Sequence, residues 1–275
     1  MDRRRARTGA FAQRRCRRLV RTALNLADVT VVVLTRNEAA RLPVMLARLP
    51  AGAPVYVLDA ESDDDTVAIA RACGADVETR PWTGFVTARR YALGRVRTRW
   101  ALMLDADELL DDVLRGAIAK TDPSTRSGDV AGYRLRRMTM LCGRAVRTAG
   151  WSNERLLRLI RTDRARVAAN KTGAEVHETW NVDGNVADLP GAIVHDSYPT
   201  LASYRAKFDH YTSVEAEALA PSRRGYAWEL ALMPLRFAWS LLRYGGWRDG
   251  WRGLFVAWES ARYRVVVRAK ALRQA

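Results

Sequence analysis

The sequence has little cysteine and no long apolar run. Its three cysteines, Cys16, Cys73 and Cys142, are too few and too scattered for a disulfide framework or a zinc site, so we expect a reducing, cytosolic compartment. No window reaches the ~18 to 20 uninterrupted apolar residues that a transmembrane helix requires. Residues 1–27 are dense in arginine and lack an apolar stretch long enough for a secretory signal. These absences argue against a disulfide-stapled secreted domain and against a membrane-spanning chain.

The sequence does contain enough apolar residues for a large core, together with a large excess of positive charge. The chain has 275 residues, of which 48% are hydrophobic, and a formal net charge of +16. This excess indicates an anionic partner, such as nucleic acid, an acidic membrane surface or a phosphate-bearing substrate. We expect residues 1–27 to form a basic extension that is disordered or lies on a membrane surface.

From residue 29 to residue 105, short apolar runs alternate with segments of helical character. VTVVVLT, PVYVLD, ADVETR and RWALMLD have the composition of strands, whereas RNEAARLPVMLARL, SDDDTVAIARAC and FVTARRYALGRV are typical of helices. Ser62 is the predicted N-cap of the second helix, and Gly74 is its predicted stop. This alternation predicts an α/β fold with a mostly parallel sheet flanked by helices.

The pattern changes after residue 121. SGDVAGYRLRRMTMLCGRAVRT predicts a strand with a hairpin-like return, and residues 174–198 predict further β structure with turns at Gly184 and Gly191. From residue 200 the sequence predicts helices, including a helix pair in YAWELALMPLRFAWSLL that is divided near Pro234 and has an apolar face suited to a membrane surface. Three tryptophans have the spacing of one helical face: Trp247, Trp251 and Trp258. Core packing is their expected role, and an acceptor platform or an interfacial anchor is the alternative.

Polar clusters follow three of the predicted strands, at residues 35–38, 59–65 and 105–108. The carboxyl ends of parallel strands meet at one edge of a sheet, where the ligands of such sheets bind. In an extended chain Asp105 and Asp107 point to the same side, and a divalent metal that carries phosphate oxygens would relieve their repulsion. Acidic residues at this point equally suit the first turn of a helix. The coincidence of three clusters predicts a functional site.

Several motifs occur in a fixed order between about residues 29 and 210: VVVLTRNEAARL, VYVLDAESDDDTVAIARACGADV, PWTGFVTARRYAL, WALMLDADELL, GWSNERLLRL, VHETW and HDSY. In these motifs the sequence resembles the inverting glycosyltransferases of the family 2 type, which have the GT-A fold, and more narrowly their lipopolysaccharide core subgroup. The C-terminal GGWRDGWRGLFVAW is similar to the helical tail of that subgroup. The resemblance implies an enzyme that uses a nucleotide-activated sugar, with a UDP-sugar favoured, and a divalent metal, Mg²⁺ or Mn²⁺.

The resemblance also implies roles for individual residues. Glu178 is the expected general base, with Asp196 in reserve, and Asp107 is the expected metal ligand. The residues expected to hold the acceptor are Trp151, Arg155 and Arg158. The expected nucleotide-sugar site consists of Thr35, Asn37, Glu38, Asp59, Asp64, Arg89 and Asp105. Within that site, Asp59 would accept a hydrogen bond from the base and Arg89 would contact the phosphates.

The resemblance further implies a domain plan and a location. We expect a GT-A catalytic domain at residues 28–210, with a nucleotide-binding half at 28–120 and an acceptor half at 121–210. An amphipathic helical region is expected at 211–275. The expected acceptor is a lipopolysaccharide-core or other envelope glycan, and the expected location is the inner face of the cytoplasmic membrane.

Two other function classes are compatible with parts of the sequence. A nucleotidyltransferase of similar fold also places carboxylates and a metal beside phosphates, but LTRNEAAR lacks the glycines of a phosphate loop. A basic nucleic-acid-binding protein would fit the net charge, but no known nucleic-acid-binding signature occurs, and the arginines are spread along the chain.

Overall fold

A computed structural model describes residues 27–120, 130–148, 151, 154–168 and 179–274. The chain divides by compactness into two units, one comprising Met1–Arg136 and Arg155–Val194, the other Arg137–Glu154 and His195–Ala275. The domain boundaries expected at residues 27, 120 and 210 follow the resemblance rather than this division, and they remain predictions. The predicted basic extension lies outside the described residues, apart from residue 27.

Four parallel strands form the first part of the sheet. They are β1 (Val29–Thr35), β2 (Val55–Asp59), β3 (Asp76–Thr79) and β4 (Trp100–Asp105). Their order is β3-β2-β1-β4. Every residue of β1 is buried, because parallel strands of this kind are covered on both faces. Val31 and Val33 pack on one face, and Val32 and Leu34 pack on the other.

Helices supply the side chains that cover these two faces. The helices of the first unit are α1 (Leu42–Ala47), α2 (Thr66–Ala72), α3 (Phe85–Arg95) and α4 (Asp112–Lys120). Met45 of α1 and Leu114 of α4 pack on the face of Val31, whereas Ala88 and Ala92 of α3 pack on the face of Val32.

Two of these helices begin later than the sequence predicts. The first starts at Leu42, because Asn37 has a left-handed φ of 55° that is incompatible with a helix. The second starts at Thr66, and its predicted N-cap Ser62 makes no capping bond because its hydroxyl donates to Asp59 instead. Gly74 follows the end of this helix with a φ of 87°, as predicted.

The later strands extend the sheet beyond β4 and form a small second sheet. They are β5 (Glu108–Leu110), β6 (Val130–Leu141), β7 (Arg144–Ala145), β8 (Arg155–Arg161), β9 (Ala165–Ala168), β10 (Thr179–Val182) and β11 (Asn185–Tyr198). The sheet continues from β4 in the order β8-β6-β11-β5, with β8 antiparallel to both β4 and β6. Strands β9 and β10 pair separately. The predicted α/β class, with a parallel sheet flanked by helices and a helical C-terminal region, is confirmed.

The second unit is mainly helical, as predicted from residue 200 onwards. Its elements include α5 (Leu201–Glu217), α6 (Arg223–Arg243), a 3₁₀ helix (Gly246–Asp249) and α7 (Trp251–Arg273). The predicted helix pair is a single helix, α6, with Pro234 inside it. None of the helices in the described ranges combines the length and apolar character needed to cross a membrane.

The expected core packing of three C-terminal tryptophans is wrong. Trp247 lies in the 3₁₀ helix, whereas Trp251 and Trp258 lie on α7. Their exposed fractions are 59%, 50% and 46%. Helical spacing identifies residues that share a face, but it does not specify whether that face is covered.

Cys142 is a free thiol. The apolar layers on the two faces of the sheet are the main source of stability.

Gly191 lies inside β11 rather than at the predicted turn. Its φ is 90°, and a Cβ atom there would lie 2.3 Å from the backbone nitrogen of Leu114 and 2.6 Å from Asp111 Oδ1. The Asp111 carboxylate accepts hydrogen bonds from the backbone N–H groups of Leu114 at 2.7 Å and Ala192 at 2.9 Å. Strand β11 therefore approaches the start of α4 so closely that only glycine fits.

We predict that Gly191→Ala lowers the free energy of unfolding by roughly 2 to 4 kcal/mol, through backbone strain and overpacking. Gly74→Ala is the matched control, because Gly74 also has a positive φ but has open space around its Cβ position, so only a strain of roughly 1 to 2 kcal/mol is expected. Urea denaturation measures both values. Equal losses for the two variants would contradict the close approach.

Candidate functional site at the carboxyl ends of the parallel strands

The buried carboxylate of Asp59 joins the ends of β1 and β2. Its Oδ1 atom accepts hydrogen bonds from the hydroxyl of Thr35 at 2.8 Å and from that of Ser62 at 2.6 Å. Its Oδ2 atom accepts one from the backbone N–H of Ser62 at 2.8 Å. Asp59 is fully buried, so in this structure it orders the loop after β2. The contact from Asp59 to a nucleotide base remains a prediction.

Asn37 connects the loop after β1 to the loop after β2. Its backbone N–H donates to Ser62 Oγ at 2.8 Å, and its side-chain oxygen accepts from the backbone N–H of Asp63 at 3.0 Å. Asn37 and Glu61 both have left-handed φ angles, of 55° and 53°. Such conformations are uncommon outside glycine and concentrate at functional sites. The surrounding hydrogen bonds hold these two loops in one defined arrangement.

Asp64 makes a second connection between the same loops. Its Oδ2 atom accepts from the backbone N–H of Ala39 at 3.1 Å, and its Oδ1 atom accepts from that of Thr66 at 2.9 Å. The Thr66 hydroxyl donates to Asp64 and in turn accepts from the backbone N–H of Glu38 at 2.8 Å. Desolvation by itself raises the pKa of Asp64, but the bonds from Thr66 and Ala39 outweigh it and lower the pKa below its usual value. Asp64 is therefore held as an acceptor of backbone hydrogen bonds.

Two carboxylates and two guanidinium groups form a buried ionic cluster at the end of β4. Arg89 Nη2 donates to Asp105 Oδ1 at 2.7 Å, and Arg158 Nη2 donates to Asp105 Oδ2 at 3.1 Å. Arg158 Nη2 also contacts Glu108 Oε1 at 3.1 Å, and Glu108 Oε2 accepts the backbone N–H of Asp105 at 3.1 Å. The side chain of Glu108 is fully buried, and those of Arg89 and Arg158 are 2% and 6% exposed.

This cluster changes the interpretation of the acidic motif. The extended chain that was expected to align Asp105 with Asp107 ends at Asp105, and Asp107 lies in the turn before β5. The negative charge of Asp105 is balanced by arginines, so no cation is needed to relieve repulsion there. Arg158, expected to hold the acceptor, is instead buried against Asp105 and Glu108.

The position of Asp107 is compatible with a divalent metal that is also coordinated by phosphate oxygens. Within the described ranges, no group of three or more Asp, Glu, His or Cys side chains is placed to hold a metal by itself. Mg²⁺ is commonly bound through one or two carboxylates, with phosphate oxygens and water completing the octahedron. The partly exposed Asp107 fits such a site, in which the donor rather than the protein supplies most ligands.

Other predicted site residues lie elsewhere. Arg155 is half-exposed on β8 and contacts Asp188 at 3.5 Å. Glu178, the expected general base, lies outside the described residues, so its role remains a prediction. Trp151 lines a cavity of about 700 Å³ in the second unit. Asp196 is on β11, next to His195 and Ser197, which line that cavity, and strand alternation directs Asp196 to the opposite face.

Three residues that were not among the predicted site residues are bonded within the site. Glu108 and Thr66 are fully buried and bonded within the site, and Ser62 bonds to both Asp59 and Asn37. Glu108 belongs to the acidic motif. Strand alternation places its side chain opposite that of Asp107, but this pattern does not indicate whether the side chain is buried. Ser62 had the position of a helix cap, and its actual partner is a residue three positions earlier.

Residues 30–134 match the family model described as glycosyl transferase family 2. The chain contains a family 2 glycosyltransferase domain. The match includes the four parallel strands of this glycosyltransferase and every residue of its predicted nucleotide-sugar site, from Thr35 to Asp105, together with Asp107. The parallel part of the sheet and the two loop connections therefore belong to the part of the chain that matches the family.

The likeness to known proteins extends beyond this domain. The lipopolysaccharide core biosynthesis glycosyltransferase LpsC of Rhizobium meliloti (strain 1021) is 26% identical over 250 residues, which cover 88% of this chain and 91% of the relative. An uncharacterised glycosyltransferase of Rickettsia typhi is 27% identical over 209 residues, covering 74% and 71% of the two chains. The crystal structure of mannosyl-3-phosphoglycerate synthase from Rubrobacter xylanophilus has a TM-score of 0.40 and 17% identity, covering 72% of this chain and 74% of that one.

We predict different effects for two arginines on β8 that the sequence placed together at the acceptor. Arg158→Ala should lower the free energy of unfolding by about 3 to 5 kcal/mol, because it removes the buried guanidinium group that contacts both Asp105 and Glu108. Arg155→Ala should change it by less than about 1 kcal/mol, because Arg155 is half-exposed. Chemical denaturation measures both. A stable Arg158→Ala protein with impaired acceptor binding would restore the acceptor role.

Proposed function

We propose that this glycosyltransferase transfers a sugar, with inversion, from a nucleoside diphosphate sugar to a hydroxyl of an envelope glycan. The observation that carries the donor part is the ordered polar edge of the parallel sheet. Strand β1 lies between β2 and β4, so the loops that follow these three strands are neighbours. The switch in strand order at β1 is where ligands of open α/β sheets bind.

The ordered loops supply suitable groups for a nucleotide. Asn37 and Glu38 lie directly after β1, and Asp59 ends β2. The preference for uracil rests on the resemblance, in which an acceptor-only carboxylate suits a base with a donor edge. The Asp59 carboxylate is fully buried and bonded to Thr35 and Ser62, so a contact with the base requires the loop after β2 to move. On this proposal the base and ribose lie along these loops, and Asp105 with Arg89 fixes the end of β4 beside the diphosphate.

Asp107 is the residue that we propose to hold the divalent metal. A bound Mg²⁺ or Mn²⁺ would neutralise the negative charge that develops on the departing diphosphate. Asp107 would anchor that cation from the turn after β4. The neighbouring Asp105 carboxylate, balanced by Arg89 and Arg158, would orient the turn without competing for the cation.

Inversion requires that the acceptor hydroxyl attack from the face opposite the leaving group and lose its proton as it does so. One carboxylate suffices as general base. We assign this role to Glu178 on the resemblance of its VHETW motif, with Asp196 in reserve. Because His195 and Ser197 rather than Asp196 line the cavity of the second unit, a base role for Asp196 would require an acceptor on the other face of β11.

We propose that the acceptor glycan binds in the cavity lined by Trp151. Three aromatic rings form one of its walls, with ring centroids 5.4 Å apart for Trp151 and Tyr198 and 5.0 Å apart for Tyr198 and Tyr204. Rings of this kind pack against the apolar faces of sugars while polar groups bind the hydroxyls. The cavity therefore has the mixture of surfaces that a glycan requires.

Glu259 is the polar group of this cavity most suited to a sugar hydroxyl. It is 7% exposed, and its Oε2 atom accepts from Arg262 Nη2 at 2.6 Å and Nε at 3.2 Å. Its Oε1 atom accepts no hydrogen bond from the residues that the structure describes. Burial, together with the charge of Glu259, raises the pKa of Tyr204, so the Tyr204 hydroxyl stays protonated as a second potential donor.

The location that we propose is the inner face of the cytoplasmic membrane. Support comes from the net charge of +16 and from the likeness to LpsC, a lipopolysaccharide core biosynthesis enzyme. Anionic lipid attracts basic proteins, and a lipid-linked acceptor would be reached there.

We predict that Asp107→Asn abolishes metal-dependent binding of the donor. Isothermal titration of the full chain with UDP and other nucleoside diphosphates, with and without Mn²⁺, should show tight binding only when metal is present. In Asp107→Asn the metal dependence should disappear. The control is Asp112→Asn, because Asp112 is close in sequence and its side chain is 73% exposed. Binding of nucleic acid in place of any nucleotide would overturn the transferase proposal.

We predict that Glu259→Gln weakens acceptor binding by roughly 10-fold or more, since a hydrogen bond to a charged group contributes about 1.5 to 3 kcal/mol. The probe is core oligosaccharide released from lipopolysaccharide by mild acid, and its affinity is measured by titration. Glu217→Gln is the control, because Glu217 is exposed on α5. Loss of UDP binding in the Glu259→Gln protein would indicate misfolding, and unchanged affinity for the oligosaccharide would remove the cavity from the acceptor site.

A further inference from the structure

Ten large apolar side chains are exposed within one short stretch of the second unit. Together with the arginines beside them, they form what we call the Trp/Arg surface. Leu242, Leu235 and Trp228 have exposed fractions of 78%, 67% and 65%. The full apolar set is Trp228, Leu230, Leu235, Trp239, Leu242, Tyr244, Trp247, Trp251, Leu254 and Trp258. Exposed patches of this size are unusual in proteins that have no partner there.

Four members of the set form a straight stripe along α6. Trp228, Leu235, Trp239 and Leu242 are separated by seven, four and three residues, which places them on one helical face. The stripe is about 20 Å long at a rise of ~1.5 Å per residue. Glu229 and Ser240 are the residues that α6 buries, and the helical period directs both away from the stripe.

A second stripe lies on α7, which packs against α6. Trp251, Leu254 and Trp258 follow the three- and four-residue spacing of one face. The rings of Phe237 on α6 and Trp258 on α7 meet edge to face, with centroids 6.0 Å apart. An apolar groove of about 600 Å³ runs between Leu235, Trp239 and Leu242 of α6 and Ala261 of α7.

Arginine side chains lie directly against three of the exposed aromatic rings. The guanidinium groups of Arg248 and Arg252 lie 5.1 Å and 4.5 Å from the ring centroids of Trp247 and Trp251. Arg243 lies 6.0 Å from the ring of Tyr244. Arg243 and Arg248 are exposed, whereas Arg252 also donates to the backbone carbonyls of Leu141 and Cys142 at 2.9 Å and 3.0 Å.

The few acidic side chains near the Trp/Arg surface are bonded to neighbouring residues. Residues 223–252 contain six arginines and two acidic residues, Glu229 and Asp249. Glu229 is buried and paired with Arg236, and Asp249 accepts the backbone N–H groups of Arg147 and Thr148, both at 2.8 Å. The Trp/Arg surface therefore presents a positive field.

We propose that the Trp/Arg surface binds an anionic lipid bilayer, with tryptophan and leucine in the interfacial layer and the arginines at the lipid phosphates. Tryptophan favours this layer because its ring is apolar and its N–H is polar. Arginine extends its apolar stem along the layer and keeps its charge at the phosphates. The proposal deepens the membrane location proposed above and does not depend on the transfer reaction.

A protein partner fits the same surface less well. The centre of a protein interface is depleted of charge, and its polar groups lie at the rim. Here the exposed Arg243 and Arg248 lie against Tyr244 and Trp247, and each would lose its hydration in a dry interface. At a bilayer the same charges contact anionic phosphates, where each basic residue near the surface contributes about 1 kcal/mol.

The test is quenching of tryptophan fluorescence in the full chain by vesicles whose phosphatidylglycerol carries brominated acyl chains. Residues 1–26 contain no tryptophan, so quenching does not report their attraction to the same vesicles. We expect quenching by brominated anionic vesicles and little by phosphatidylcholine vesicles whose acyl chains are brominated in the same way. The double variant Trp228→Ser/Trp239→Ser should reduce binding at least 10-fold, and Arg248→Gln should reduce it about 5-fold.

Two controls separate this proposal from the catalytic one. Val113→Ser removes a side chain that is 60% exposed on α4, outside the Trp/Arg surface, and should leave vesicle binding unchanged. Asp107→Asn should also bind vesicles normally. Vesicle binding that is equal for the double variant and for Val113→Ser would overturn the proposal. So would a concentration-dependent dimer, without vesicle binding, that the double variant abolishes.

Discussion

Asp105 is held between two buried arginines, and much of the first unit depends on this arrangement. The cluster joins β4, β5, α3 and β8 through Asp105, Glu108, Arg89 and Arg158. Arg89, Arg158 and Glu108 are almost fully removed from water, which is expensive for charged groups, so each depends on its partners in the cluster. This requirement fixes where β4 ends and how the following turn leaves the sheet. The turn carries Asp107, for which we propose the role of metal ligand, and that role requires a fixed position more than it requires additional acidic neighbours.

The same principle applies to the loops after β1 and β2. Asp59 and Asp64 act within the structure as acceptors that bind hydroxyl and backbone N–H groups across the two loops. Neither loop has a glycine to relax the left-handed residues Asn37 and Glu61, so hydrogen bonds must hold them. Asp59 and Asp64 therefore shape the site, whereas the chemical roles that we propose belong to other acidic residues, Asp107 and Glu178. A variant that loses activity through Asp59 would accordingly need a stability measurement before any role in donor binding is assigned.

The second unit has a different chemistry, in which aromatic rings predominate. Trp151, Tyr198 and Tyr204 line a cavity with a buried carboxylate, and the tryptophans of α6 and α7 face outward with arginines. The first arrangement suits a polyhydroxyl ligand and the second suits a lipid surface. Both would serve an enzyme whose acceptor combines a glycan with a lipid, because each end of such a molecule requires its own binding chemistry.

The sequence by itself determined the features that depend on local pattern. Apolar runs of strand length, helical spacing and polar clusters at strand ends predicted the parallel sheet, its flanking helices and the edge on which Thr35, Asp59 and Asp105 lie. The tertiary structure decided which partner each polar or aromatic side chain takes. Arg158 lies 53 residues after Asp105 in the sequence, on a different strand. The Ser62 hydroxyl bonds to Asp59 rather than capping a helix, and Trp247, Trp251 and Trp258 are exposed rather than buried in a core. Periodicity specifies which side of an element a residue occupies, but burial and pairing depend on distant segments, which the local sequence does not encode.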